Sequence, residues 1–134
     1  MMNEALPKRE RMVSRKLIDS LFGGGSSSSM AAYPLRAVYM TRERDERESP
    51  VQILISVPKK RFKHAVDRNH VKRQVREAYR HHKKLLYDAL ADHQQLLLAF
   101  VWLSPTHLTT HDVESRIVSL MHRMAEKLNA EHLL

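Results

Sequence analysis

The sequence predicts an α+β fold in one domain: a central mixed sheet of about four strands with an N-terminal helix, a basic helix in mid-chain and a C-terminal helix. Three observations lead there. Segments with the two-residue alternation of strands and segments with the 3.6-residue apolar period of helices follow one another in the order helix, strands, helix, strand, helix. The 134 residues are 43% hydrophobic, enough for a single core, so one domain spanning 1–134 is expected. The segment before the basic helix and the one after it both read as strands, so they can pair in parallel with that helix as the crossover, and helices on one face of the sheet are the economical arrangement.

Met1 to Arg11 is polar and basic and is expected to be flexible. Met12 to Phe22 reads as a short amphipathic helix, with Ser14 as N-cap and Leu17, Ile18, Leu21 and Phe22 at helical spacing. Gly23, Gly24 and Gly25 end it, and Ser26 to Ser29 continues a surface loop. A strand is expected around Ser29 to Pro34, and two more over Leu35 to Thr41 and Val51 to Val57, both rich in β-formers. Arg42 to Pro50 is charged throughout its first seven residues and reads as a long, solvated hairpin loop between those two strands. Pro58 closes the second of them, and the basic helix begins near Val66 or Asp67. Gln94 to Leu103 is a nearly continuous apolar run of strand length, as a buried strand requires. Thr109 or Thr110 caps the last helix, whose Val113, Ile117, Leu120, Met121, Met124 and Leu128 form an apolar stripe.

Charge is concentrated in one place. Lys59 to Lys84 holds eleven Lys/Arg residues against Asp67 and Glu77, whereas the whole chain carries a net charge of +8, so the remainder is close to neutral. From Arg68 the stretch has two faces. Arg68, Lys72, Arg76 and Lys83 stack on one side, extended by Asn69, Arg73 and Arg80; Val71, Val75, Ala78, His82 and Leu85 fall on the other, with Tyr79 and Leu86 at the border. A face of this charge repels itself without a partner, so it is read as a surface for a polyanion, nucleic acid first and an anionic membrane surface second. Glu77 is expected to pair with Arg73 or Arg80 along the helix, and Lys83 and Lys84 read as ordinary solvated charge.

The residues give no nucleophile with a base, no carboxylate pair and no metal-ligand set. There is no cysteine, which excludes disulfides and thiolate metal sites and suits a reducing cytoplasm. His81 with His82, and His107 with His111, lack a third ligand, so no protein-bound metal is expected. The N-terminus has no apolar signal core, and no run approaches the ~20 apolar residues of a membrane span, so no membrane partner is expected. For a single-stranded nucleic acid, Phe22, Tyr33 and Tyr39 are the candidate aromatic platforms.

The stretch Ala65-Val66-Asp67-Arg68-Asn69-His70-Val71-Lys72-Arg73-Gln74-Val75-Arg76-Glu77-Ala78 resembles the signature of the bacterial ribonuclease P protein family, Arg-Asn-Arg-x-Lys-Arg-x-x-Arg-Glu preceded by Ala-Val. His70 stands where the family usually has its second arginine. Ser56-Val57-Pro58-Lys59-Lys60 resembles the family's Ser-Val-x-Lys-Lys strand end, and Leu21 to Gly25 its early Leu-Phe-x-x-Gly. The likeness runs from about Leu6 to Leu128.

The resemblance implies an α/β sandwich whose parallel crossover through the basic helix is left-handed, an exception to the usual rule. It implies an accessory subunit of a cytoplasmic ribonucleoprotein that removes the 5′ leader of precursor tRNA, with the catalytic ribonuclease P RNA and precursor tRNA as partners and no obligate protein partner. In such an assembly the large RNA carries the chemistry with Mg²⁺ ions that activate the attacking water. Carried over residue by residue, Lys59, Lys60, Arg61, Arg68, Asn69, His70, Lys72, Arg73 and Arg76 are expected to face the RNA subunit. The family's leader-binding cleft lies between the first helix and the sheet; Phe22 and Tyr39 match two of its aromatic positions, and Ile18 falls where another aromatic often stands. His70 keeps a polar group at that position but lacks the guanidinium fork of the usual arginine. A ribosomal or assembly RNA-binding protein and a DNA-binding regulator are the competing readings of the basic helix taken alone.

Overall fold

The computed structural model describes residues 6–133. In chain order the elements are α1 (Arg15–Gly23), β1 (Ser28–Ala32), β2 (Leu35–Glu43), β3 (Val51–Ser56), α2 (Ala65–His82), α3 (Lys84–Ala89), β4 (Gln94–Trp102) and α4 (Thr110–Leu133). The four strands form one mixed sheet in the order β1-β2-β4-β3. β1 and β2 are antiparallel, as are β2 and β4, while β3 runs parallel to β4. The parallel pair flanks α2 and α3, which make the crossover.

Two expectations about the sheet need correction. β2 and β3 do not form a hairpin: β4 lies between them. Leu96, Leu97, Leu98, Ala99 and Phe100 are all 0% exposed, and a strand that is apolar at every position needs a neighbour on each edge and cover on each face. The Arg42–Pro50 connection accordingly crosses the start of β4. Arg42 Nε donates to Gln95 Oε1 at 2.7 Å, Arg44 N donates to the carbonyl of His93 at 2.8 Å, and Gln95 Nε2 donates to the carbonyl of Ser49 at 2.9 Å. Helices also cover both faces rather than one. On one face α2, α3 and α4 enclose the main core with Ala37, Tyr39, Ile53, Leu98 and Phe100. On the other, α1 packs Leu21, Leu17 and Ile18 against Val38, Leu97 and Ala99.

Local chemistry sets the helix ends. Leu17 N donates to Ser14 Oγ at 3.4 Å at the start of α1, and Asp112 N donates to Thr109 Oγ1 at 3.1 Å at the start of α4. Past α1, Gly25 adopts φ +78°, the left-handed region that glycine enters without steric cost. The apolar stripe of α4 from Val113 to Leu128 is buried as expected, and Arg116 and Arg123 reach from α4 to the carbonyls of Tyr33 and Ala31 to hold the β1 hairpin.

The N-terminal segment is the third correction. Residues 1–5 lie outside the described residues, but 6–11 are tied down. Leu6 is 3% exposed, Met12 N donates to the carbonyl of Ile53 at 2.9 Å, and Glu10 is 7% exposed. The Glu10 carboxylate accepts from Lys83 Nζ at 3.0 and 3.1 Å and from the Tyr87 hydroxyl at 3.1 Å. A carboxylate buried without such partners is costly. Lys83, read from sequence as solvated, is thus a core-edge cation, and it sits at the break between α2 and α3. Tyr79 and Leu86, placed at the helix border by periodicity, are both fully buried.

Candidate nucleic-acid interface

α2 is 18 residues, about 27 Å long at 1.5 Å per residue. It buries Val71, Gln74, Val75, Ala78 and Tyr79 and turns its charged side outward. Gln74, a polar residue in that buried row, donates to the carbonyl of Leu108 and to Thr110 Oγ1, both at 3.1 Å, fixing α2 to the start of α4. The C-terminal half of the helix is neutralised: Arg80 Nη2 lies 2.8 Å from Glu77 Oε1, and His82 Nε2 lies 2.9 Å from Glu114 Oε2. Of the two partners weighed for Glu77, Arg80 is the one engaged. The N-terminal half is not neutralised. Lys72, Arg73 and Arg76 make no ion pair among the described residues, and Asn69, His70 and Arg73 are exposed.

The strand exit is folded back against this face. Phe62 is 8% exposed and anchors it, while Lys59, Lys60 and Lys63 are exposed around it and Arg61 is half-buried. Arg68 Nη1 donates to the carbonyls of Phe62 at 2.9 Å and Lys63 at 3.0 Å, so Arg68 positions the exit as well as adding charge. His107, from the loop before α4, stacks on Phe62 at 4.5 Å between centroids. It also reaches Asp67 Oδ1 at 3.1 Å and meets His70 edge-on at 5.2 Å. Nothing local in the sequence marks His107 for this place, because it lies forty positions from Asp67. Among the described residues no group of three or more His, Cys, Asp or Glu side chains is arranged to hold a metal ion.

A second surface lies across the sheet. Phe22 is 47% exposed and lines a hollow of about 210 Å³ with Leu21, Gly25, Ser27–Ser29, Arg36 and Val38. Arg36 and Val38 share the face of β2 that α1 covers, since alternate residues of a strand point the same way. Tyr39 therefore points to the opposite face. It is 6% exposed within the main core, and burial, together with the negative charge of Glu131, raises its phenol above the ordinary 10.0. The expected pairing of Phe22 with Tyr39 in one cleft is incorrect for that reason. Ile18 is half-buried in the small apolar cluster under α1 and does not line the hollow. Arg36 was missed, although its two-residue spacing from Val38 carried the signal.

Comparison with known sequences decides what frame these surfaces belong to. The sequence model of the family described as Ribonuclease P matches residues 6–125. The chain belongs to the ribonuclease P protein family. It is 47% identical over 89 residues to the ribonuclease P protein component of Porphyromonas gingivalis strain ATCC 33277, a match that covers 66% of this chain and 63% of that relative's length. The ribonuclease P protein component of Chlorobaculum tepidum is 37% identical over 106 residues, 73% of this chain and 67% of the relative. Two solved ribonuclease P proteins share the fold. That of Staphylococcus aureus superimposes with a TM-score of 0.63 at 19% identity, over 87% of this chain and 94% of that one. That of Thermotoga maritima gives 0.64 at 18% identity, over 85% and 96%. The uncompensated cations Lys72, Arg73 and Arg76 and the exposed Asn69 thus lie on the segment that carries the ribonuclease P protein signature.

Proposed function

We propose that this chain is the protein subunit of a cytoplasmic ribonuclease P ribonucleoprotein that removes the 5′ leader of precursor tRNA. One observation carries the reading: within the family signature, a row of cations stands without compensating carboxylates on a rigid helix, with the lysines of the strand exit beside it. Such a row favours phosphate contacts, which give affinity and register but little sequence information. In this reading Lys59, Lys60, Arg61, Asn69, His70, Lys72, Arg73 and Arg76 contact the RNA subunit, with Arg68 also shaping the exit. Phe22 and Arg36 meet the leader, the ring for stacking and the guanidinium for phosphate. In this reading the Mg²⁺ ions would be held by the RNA and would supply activation of the attacking water, while the described residues of this protein bind and orient the RNA.

Reconstitution tests the reading. Added to a bacterial ribonuclease P RNA at low Mg²⁺, the protein should stimulate cleavage of precursor tRNA and raise affinity for precursor over mature tRNA. Absence of stimulation at every protein concentration overturns it.

A further inference from the structure

We propose that a hollow at the outer edge of β3 receives one unpaired nucleotide of the RNA subunit, its base against apolar walls and its phosphate on a cationic rim; this rests on the reading that the α2 face binds that RNA. The hollow measures about 320 Å³, and Met12, Val13 and Ile55 are among its walls, with Arg11, Lys72 and Arg76 around them. That volume is at the lower end of small-ligand sites, about 300–1,000 Å³. Val13 is 74% exposed, an apolar side chain that the N-terminal segment holds beside the sheet edge instead of in the core.

The backbone there is open. Leu96 N donates to the carbonyl of Pro50, so Pro50 faces β4, whereas the carbonyl of Ile53 faces outward and accepts from Met12 N. Backbone groups of a strand alternate in direction, so Ile55, two residues past Ile53, also presents its N–H and C=O outward, into the hollow. Among the described residues no hydrogen bond closes that pair. A donor beside an acceptor, next to apolar walls, suits the hydrogen-bonding edge of a nucleobase. An extended peptide would use the same edge, but three cations and no carboxylate line the hollow, which selects for a phosphate. Arg76 lines the hollow and makes no ion pair among the described residues, so its charge is left for a phosphate arriving there. Lys72 and Arg76 belong to the α2 face, whereas the Phe22 hollow is built from α1, β1 and β2; the nucleotide is accordingly assigned to the RNA subunit and not to the leader.

The test is dimethyl sulfate and carbodiimide probing of the assembled holoenzyme, which together read all four bases, with and without precursor tRNA, using wild type, Val13→Glu and Arg11→Ala. Lys16→Ala on exposed α1 serves as the control, and thermal melting confirms that each variant folds. Wild type should protect one unpaired base of the RNA subunit. Val13→Glu should expose that base again and weaken RNA-subunit affinity about tenfold, the loss of one stacked base. Arg11→Ala should do so in part, and Lys16→Ala should leave the protection in place. If no RNA-subunit base responds although binding persists, the inference falls and the proposed function stands, leaving the edge to a protein strand. A response confined to the leader overturns the assignment to the RNA subunit. If wild type fails to bind the RNA at all, the proposed function fails first.

Discussion

Arg68 and Arg73 are five positions apart on one helix, yet their guanidinium groups have different surroundings. Arg68 is half-buried and holds two carbonyls of the strand exit at 2.9 and 3.0 Å; Arg73 is exposed and makes no ion pair among the described residues. Arg73→Ala should therefore weaken RNA-subunit binding, lower the slope of log K against log salt by about 0.7–0.9, and leave the melting temperature unchanged. Arg68→Ala should also cost about 1–3 kcal/mol of folding stability, because charge-assisted hydrogen bonds to the exit are lost. Salt titration of binding together with thermal unfolding separates the two, and identical behaviour of the variants would contradict the division. The signature in the sequence includes both arginines but does not show that one of them folds the segment beside it. That distinction depends on where the carbonyls of residues 62 and 63 come to rest, which side-chain type alone does not encode.

The elements themselves were legible because each carries its own local signal: Ser14 and Thr109 at the helix starts, the glycines after α1, and the apolar stripe of α4. Strand order was not, because partner choice is settled by how much of β4 needs cover, a property of the assembled sheet. The face of each β2 residue was also hidden. Leu35, Ala37, Val38, Tyr39 and Met40 are apolar at both parities, so only Arg36 marked which side could be open. Once the faces are known, Phe22 and Tyr39 make a controlled pair. Phe22→Ala removes a half-exposed ring from the hollow beside Arg36 and should reduce the preference for precursor over mature tRNA, with a loss of about 1–3 kcal/mol on the precursor alone. Tyr39→Ala empties a core position and should cost about 3–5 kcal/mol of stability, as for a buried aromatic, while affecting both tRNAs equally. Affinities for the two tRNAs, measured with unfolding curves, check this; a selective precursor defect in Tyr39→Ala would place that ring in the binding surface after all.

At the scale of the molecule, the chain closes around a polar seam in which Glu10, Lys83, Tyr87 and Ser49 join the N-terminal segment, the α2–α3 break and the start of β3. The charged composition before Arg11 concealed this seam, since it gave no sign that one glutamate there has a lysine and a tyrosine waiting 73 and 77 positions away. The seam and the core share a dependence on pH that follows from three phenols. Burial is the largest cause of the upward shift at each of Tyr39, Tyr79 and Tyr87, and the negative charge of Glu10 adds to it at Tyr79 and Tyr87, while a hydrogen bond with Ser49 offsets part of it at Tyr87. A phenol whose folded value lies above its unfolded value, near 10.0, contributes stability that is complete below about pH 10 and is lost as pH rises toward the folded value. Alkaline titration should therefore leave the unfolding free energy insensitive to these groups up to about pH 9 and reduce it steeply above about pH 10. Phenolate absorbance from Tyr79, the fully buried phenol, should appear together with loss of the helical circular dichroism signal, because burial opposes its ionisation until the core opens. Ionisation of all four tyrosines in protein that retains its helical signal would show that the core around Tyr79 admits water and base without unfolding.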